Sequence, residues 1–240
     1  MKLLILLLLA LPLSVICQER NVVHYNRFFI KPGKGLDFEK ALTDHVSKYH
    51  TSKSKWKVYK IMSGPDAGGY QVVEGPFSWD DIDAQGNLDQ IHQQHWNNTI
   101  SGMLADRTQS GFSVYRADLS TIALEDYSNK IAISHIFPKP GYTLDMEELI
   151  KKLKKSWESG GNTVAVYEAS SSGPQQYIFV TRYKQGLKER NKGFRKPFKD
   201  LYNQSNGENS FDDYIKSVRM YLDHTWNELL SFQPDLSSNK

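Results

Sequence analysis

A single cysteine in 240 residues excludes a disulfide framework, and a metal or cluster held by several thiolates goes with it. Glycine-rich phosphate loops, nucleophile elbows, paired-histidine zinc helices and calcium loops are all missing, so the motifs of nucleotide, acyl-transfer and calcium chemistry find no match. A surplus of one charge is missing too. The chain carries 30 basic and 27 acidic residues, which leaves no global footprint for nucleic acid. Long apolar runs are absent except at the start, where Lys2 precedes an unbroken run from Leu3 to Leu13. The run continues through Ser14-Val15-Ile16-Cys17 to the polar switch at Gln18-Glu19-Arg20. That stretch is short for a membrane span and reads as a secretory signal peptide over residues 1–17, giving a secreted or periplasmic protein with no transmembrane span once it is removed. Cys17 then leaves with the signal. The alternative is a lipoprotein acylated on Cys17, although Ile16 is large where such motifs place a small residue.

What is present is a repeat. Phe29-Ile30-Lys31-Pro32-Gly33-Lys34-Gly35-Leu36-Asp37-Phe38-Glu39 returns as Phe137-Pro138-Lys139-Pro140-Gly141-Tyr142-Thr143-Leu144-Asp145-Met146-Glu147. Val58-Tyr59 returns as Val166-Tyr167, Gly64-Pro65 as Gly173-Pro174, and Tyr70-x-x-Val73 as Tyr177-x-x-Val180. The spacing stays near 108 residues throughout, far above the period of a solenoid. Two tandem copies are therefore expected, over 18–120 and 130–237, with 121–129 as a linker, packed as an internal pseudo-dimer that makes the chain a monomer.

Periodicity fills in the elements. A strand is expected over 22–31, a helix from Asp37 to about Tyr49, strands over 56–62 and 70–74 around a hairpin loop, a helix over 88–105 and a strand over 111–117. The second copy reads as a strand over 131–137, a helix over 144–157, strands over 163–169 and 176–183, and a helix from Phe211 to Leu230. A last strand at 231–233 is expected short or absent. The order β-α-β-β-α-β is the ferredoxin-like unit, so the expected class is α+β, with two tandem ferredoxin-like repeats closing an intramolecular pseudo-dimeric α/β barrel. This arrangement resembles the dimeric α/β-barrel superfamily. The resemblance implies a cofactor-independent monooxygenase, a haem-dependent oxidoreductase or a stress-responsive protein without a known role, with a ligand cavity between sheet and helices.

Strand alternation puts Val23, Tyr25, Arg27 and Phe29 on one face of the first strand, and Ile131, Ile133, His135 and Phe137 on the matching face of its counterpart. Arg27 and His135 are polar groups in an apolar row and need partners or a ligand. With Tyr25, Tyr59 and Tyr167 they are the candidate ligand-binding set. On the second helix Asp89, His92 and Trp96 share a face, with His95 adjacent. His92 and His95 are the weak metal candidates, and no third ligand is placed. Between Tyr183 and Lys199 lie Lys188, Arg190, Lys192, Arg195 and Lys196, interleaved with aromatics, a weak anion-binding candidate or a solvated loop. Asn97 and Asn203 head glycosylation-type triplets.

The expectation is an exported protein that binds a small apolar or aromatic ligand between sheet and helices, without a cofactor. An oxidoreductase, cofactor-independent or haem-dependent, is the first alternative. A cell-envelope interaction module is the second.

Overall fold

The computed structural model describes residues 19–51, 54–84 and 90–238. Residues 1–17, read above as a signal peptide, and Asp89 lie outside the described residues, Cys17 among them. The first half runs β1 (Val22–Ile30), α1 (Gly35–Tyr49), β2 (Trp56–Ser63), β3 (Tyr70–Phe77), α2 (Trp79–Ala84), α3 (Gln90–Thr99) and β4 (Leu104–Tyr115). The second runs β5 (Lys130–Pro138), α4 (Thr143–Ser159), β6 (Val164–Ser170), β7 (Tyr177–Arg182), α5 (Phe198–Asn206), α6 (Ser210–Tyr221) and β8 (Leu222–Phe232).

The repeated Lys-Pro-Gly turn does the same work twice. After β1 the Lys31 backbone N–H donates to the Met103 carbonyl and its Nζ to the Gly102 carbonyl, each at 2.9 Å. After β5 the Lys139 N–H donates to Tyr221 at 2.7 Å and its Nζ to Arg219 at 3.0 Å. Each lysine thus ties the exit of one strand to the segment just before the half's last strand. Gly33 and Gly141 follow with φ of 79° and 87°, a backbone that side chains resist, and the helices start there.

The eight strands among the described residues pair antiparallel and close into a barrel, in the order β1-β3-β2-β8-β5-β7-β6-β4. Within that ring the neighbours β4-β1-β3-β2 come from the first half and β8-β5-β7-β6 from the second, in the same internal order. The halves meet along two seams. Tyr59 and Ile61 face Phe232 and Leu230 across β2 and β8, and Tyr115 faces Tyr167 across β4 and β6. Alternation then sorts side chains by layer. Val23, Tyr59, Ile61, Ile131, Ile133, Ala165, Tyr167, Ile178 and Leu230 fill the barrel. Phe28, Trp56, Val58, Tyr70 and Val72 turn outward onto Phe38, Leu42 and Val46 of α1, while Val164, Val166, Tyr177 and Phe179 meet α4 and Tyr202. Each such buried aliphatic or aromatic side chain is worth about 1.5–3 kcal/mol.

Two expectations are corrected. The last strand is neither short nor absent: the helix stops at Tyr221, and β8 spans 11 residues, paired with both β5 and β2. Leu222, Trp226, Leu229 and Leu230 match helical spacing, while the strand's inward row of Trp226, Glu228 and Leu230 is interrupted by a carboxylate, so alternation is masked. The stretch after Tyr183 also contains a helix, α5, whose Leu201 and Tyr202 are buried. No helix among the described residues is long and apolar enough to cross a membrane.

Candidate functional site

The residues singled out on the strands all point into the barrel, which corrects the expectation that they line a cavity between sheet and helices. Closing eight strands on themselves turns their shared face inward. Arg27 is 3 % exposed and fully engaged. Its Nε and Nη2 donate to Gln71 Oε1 at 3.0 and 2.7 Å, its Nη1 to Asp66 Oδ2 at 2.6 Å and to Glu228 Oε2 at 3.1 Å, and its Nη2 also to the other Glu228 oxygen. His135 sits between Gln176 Oε1 (3.0 Å) and Glu228 Oε1 (3.1 Å), stacked on Trp226 at 3.7 Å. Only about 100 Å³ remains beside them, bounded by Tyr25 and Phe137. This cluster joins β1 to β8, so it is a polar clasp between the halves.

The other end of the barrel is closed by the segment between β4 and β5. Arg182 donates to the carbonyls of Ala123, Leu124 and Asp126 and to the Tyr167 hydroxyl, and its guanidinium lies over the Tyr127 ring. Burial pushes the phenols of Tyr59, Tyr127 and Tyr167 up, with Arg182 opposing it only in part. About 70 Å³ of apolar space is left between the two ends. The candidate set Tyr25, Arg27, Tyr59, His135 and Tyr167 is thus one neighbourhood, largely filled by its own contacts.

A larger opening lies on the opposite side of the first half's sheet. Between β1, β2 and helices α1 and α3 is a cleft of about 340 Å³ lined by Asn26, Phe28, His45, Trp56, His92, Gln93, Trp96 and Asn97. Its floor holds histidines. In α1 the buried stripe Phe38, Leu42, His45, Val46 follows helical spacing, so His45 is carried into the interior. His50 follows as the C-cap, with φ −120° and ψ 42° that break the helix and bring its ring back. On α3 and just past its end, His92, Trp96 and Ile100 recur every four residues toward the same layer.

Three imidazoles converge there. His92 Nε2 lies 2.9 Å and His50 Nε2 3.4 Å from His45 Nε2. His45 is completely buried, His50 and His92 nearly so. His50 Nδ1 is 2.9 Å from the Ser54 carbonyl, which can only accept. His45 Nδ1 is 3.1 Å from His95 Nδ1, and His95 Nε2 is 3.2 Å from Asp44. Burial first, then the neighbouring imidazoles, hold His45 down to about 3. Burial likewise brings His50 to about 4 against the Ser54 bond. Both are neutral at ordinary pH. The expectation of His92 and His95 without a third partner is therefore revised: His45 and His50 complete the group with His92, and His95 stands behind it. Four of the seven histidines fall in residues 45–95, which is the signal that sequence reading had available.

The basic segment divides among local tasks. Arg195 pairs with the buried Glu189, Arg190 donates to the Tyr183 hydroxyl at 3.2 Å, and Lys188, Lys192 and Lys196 are exposed. Of the two glycosylation-type asparagines, Asn97 borders the cleft, and Asn203 accepts the Phe211 N–H at 2.8 Å.

No protein-family model matches the chain, and no curated protein is similar to it in sequence. Solved structures are. A proposed monooxygenase from Fusobacterium nucleatum subsp. nucleatum ATCC 25586 is 15% identical, with 91% of this chain and 94% of that one covered and a TM-score of 0.57. An anthrone oxidase-like protein is 10% identical over 90% and 92%, with a TM-score of 0.56. A mutant chlorite dismutase from Candidatus Nitrospira defluvii is 10% identical over 90% and 92%, with a TM-score of 0.50. These likenesses show the fold, the dimeric α/β barrel.

The resemblance in fold raises the question of haem, whose iron is often held by an imidazole that faces the open space where the ring lies. His45, His50, His92 and His95 face one another, His24 is bonded to Ser110 and stacked on Phe112, His135 is held inside the barrel, and the exposed His224 pairs with Asp223 and stacks on Phe137. In the second half, the position matching the cleft is packed with Tyr202, Phe211 and Tyr214. The histidines present do not fit a haem.

Proposed function

We propose that this protein is an oxidoreductase that binds a small aromatic molecule in the cleft between the first half's sheet and helices α1 and α3. The observation that carries this reading is the composition of the cleft. Phe28, Trp56 and Trp96 provide flat apolar walls, while Asn26, Gln93, Asn97 and His92 provide a few polar contacts. A ring bearing one or two oxygens matches that mixture, and the volume lies in the range of small-molecule sites. The barrel interior competes poorly, because its cavities are smaller and its polar groups are matched internally. Solved structures described as a proposed monooxygenase and an anthrone oxidase-like protein favour oxidation of such a ring as the chemistry, although a shared fold does not carry an activity with it.

Titrating a naphthoquinol while following tryptophan fluorescence tests the binding, and an oxygen electrode tests the turnover. Trp96→Ala is expected to weaken binding roughly 2- to 10-fold, the worth of one aromatic contact, with Tyr25→Phe unchanged. No quenching by quinols of one or two rings, or equal weakening by both variants, would overturn the placement.

The same reading includes the rest of the chain. The shared element order and the Lys-Pro-Gly turns support two ferredoxin-like copies, over 18–120 and 130–237, making a monomeric barrel. The apolar run before Gln18 supports export, and fractionation of expressing cells decides it.

A further inference from the structure

We propose that His45, His50 and His92 bind one divalent first-row transition-metal ion through their Nε2 atoms, with a fourth coordination position open to the cleft. The spacing comes first. Imidazole nitrogens at 2.0–2.1 Å from a tetrahedral ion stand about 3.3 Å apart, and the Nε2 atoms of His50 and His92 lie 3.4 and 2.9 Å from that of His45. One donor atom from each of the three residues lies within 4.8 Å of the other two.

Proton placement comes second. The Ser54 carbonyl accepts from His50 Nδ1–H, so a neutral His50 presents a bare Nε2. Asp44 accepts from His95 Nε2–H, His95 Nδ1 is then the acceptor, and His45 must donate to it from Nδ1. That leaves His45 Nε2 bare as well. His45 Nε2 can then accept from His92 Nε2–H at 2.9 Å, with His50 Nε2 at 3.4 Å, and an ion taking the place of that proton meets three imidazole lone pairs.

The outer contacts are those of a metal centre. Ligating histidines usually give their other ring N–H to a backbone carbonyl or a carboxylate. His50 does so directly through Ser54, and His45 does so through His95 to Asp44. Trp56 packs against His50 at 3.7 Å, and Tyr49 against His92 at 4.8 Å, fixing the rings from outside. His45 and His92 border the open cleft, so a fourth ligand can enter, as in sites that work on a bound molecule. A set made only of imidazoles favours zinc, copper, nickel or ferrous iron over magnesium or calcium.

The ion shares the cleft of the proposed function, but its binding is measured without any aromatic ligand, so the two readings fail separately. The full chain without a polyhistidine tag is stripped with chelator and titrated with Co²⁺, followed by visible absorption and metal analysis. One Co²⁺ per chain is expected, with the strong d–d bands of tetrahedral cobalt, displaced by Zn²⁺. Binding should vanish in His50→Ala and His92→Ala, fall roughly 10- to 100-fold in the positioning variant His95→Ala, and persist in His224→Ala. Should a variant fail to fold, the wild-type proton spectrum decides, since Co²⁺ at this site must shift the indole resonances of Trp56 and Trp96 first. Folded wild-type protein that takes up no stoichiometric ion, cobalt with octahedral bands, binding unchanged in folded His50→Ala or His92→Ala, or unshifted Trp56 and Trp96 indoles would each overturn the proposal.

Discussion

Arg27 shows how much rests on one side chain when charge is buried. It answers Asp66 and Glu228 together, both almost completely shielded from solvent, with Gln71 filling the remaining donors. Taking one partner from such a group leaves an uncompensated charge. Arg27→Met is therefore expected to lose about 3–5 kcal/mol of stability in urea unfolding. Tyr25→Phe, beside it on the strand, should lose less than about 1 kcal/mol, in the range of one modest hydrogen bond. The sequence marks Arg27 and His135 as polar groups needing partners, and they find them in each other's surroundings through Glu228. It does not reveal Glu228, because a carboxylate in a helix-spaced segment reads as solvated.

Among elements, the seams between the halves are where the fold is secured and where pH acts on it. Arg116, just past β4, donates to Asp118, to Glu147 on α4 at 3.0 Å and to Glu168 on β6 at 3.2 Å. Its hydrogen bonds hold the carboxyls of Asp118 and Glu147 below their ordinary values of 3.8 and 4.5. A carboxylate depressed on folding contributes stability above its unfolded value and loses it as the pH falls. Arg116→Gln should thus lower the melting temperature at pH 7 and leave it less sensitive to acid below about 4.5, as calorimetry across pH 3–7 would read. Strand alternation made the two faces of β1 and β5 legible, but not which one closes inward. That depends on β8, and its helical spacing around Glu228 hides it. His50 escaped for a related reason: it acts from a helix cap, outside any period.

As a whole molecule, the barrel depends on having both halves. Residues 19–120 alone would present β2 and β4 as bare edges, together with an uncovered apolar sheet face and an Arg27 without Glu228. Exposed edges of this kind invite pairing. The fragment is expected to self-associate or precipitate, and size-exclusion chromatography of it against the full chain is the check. The strand order common to the two halves was foreshadowed because the Lys-Pro-Gly turn is a local contact that leaves a local trace. Their unequal cavities were not, since those depend on what α3 and the α5–α6 pair lay over the sheet. That inequality has an evolutionary consequence. In a dimer of identical subunits every mutation strikes both cavities at once, so neither can be sacrificed. Here each half is free to change alone, and Tyr202, Phe211 and Tyr214 make the second half solid where the first half stays hollow.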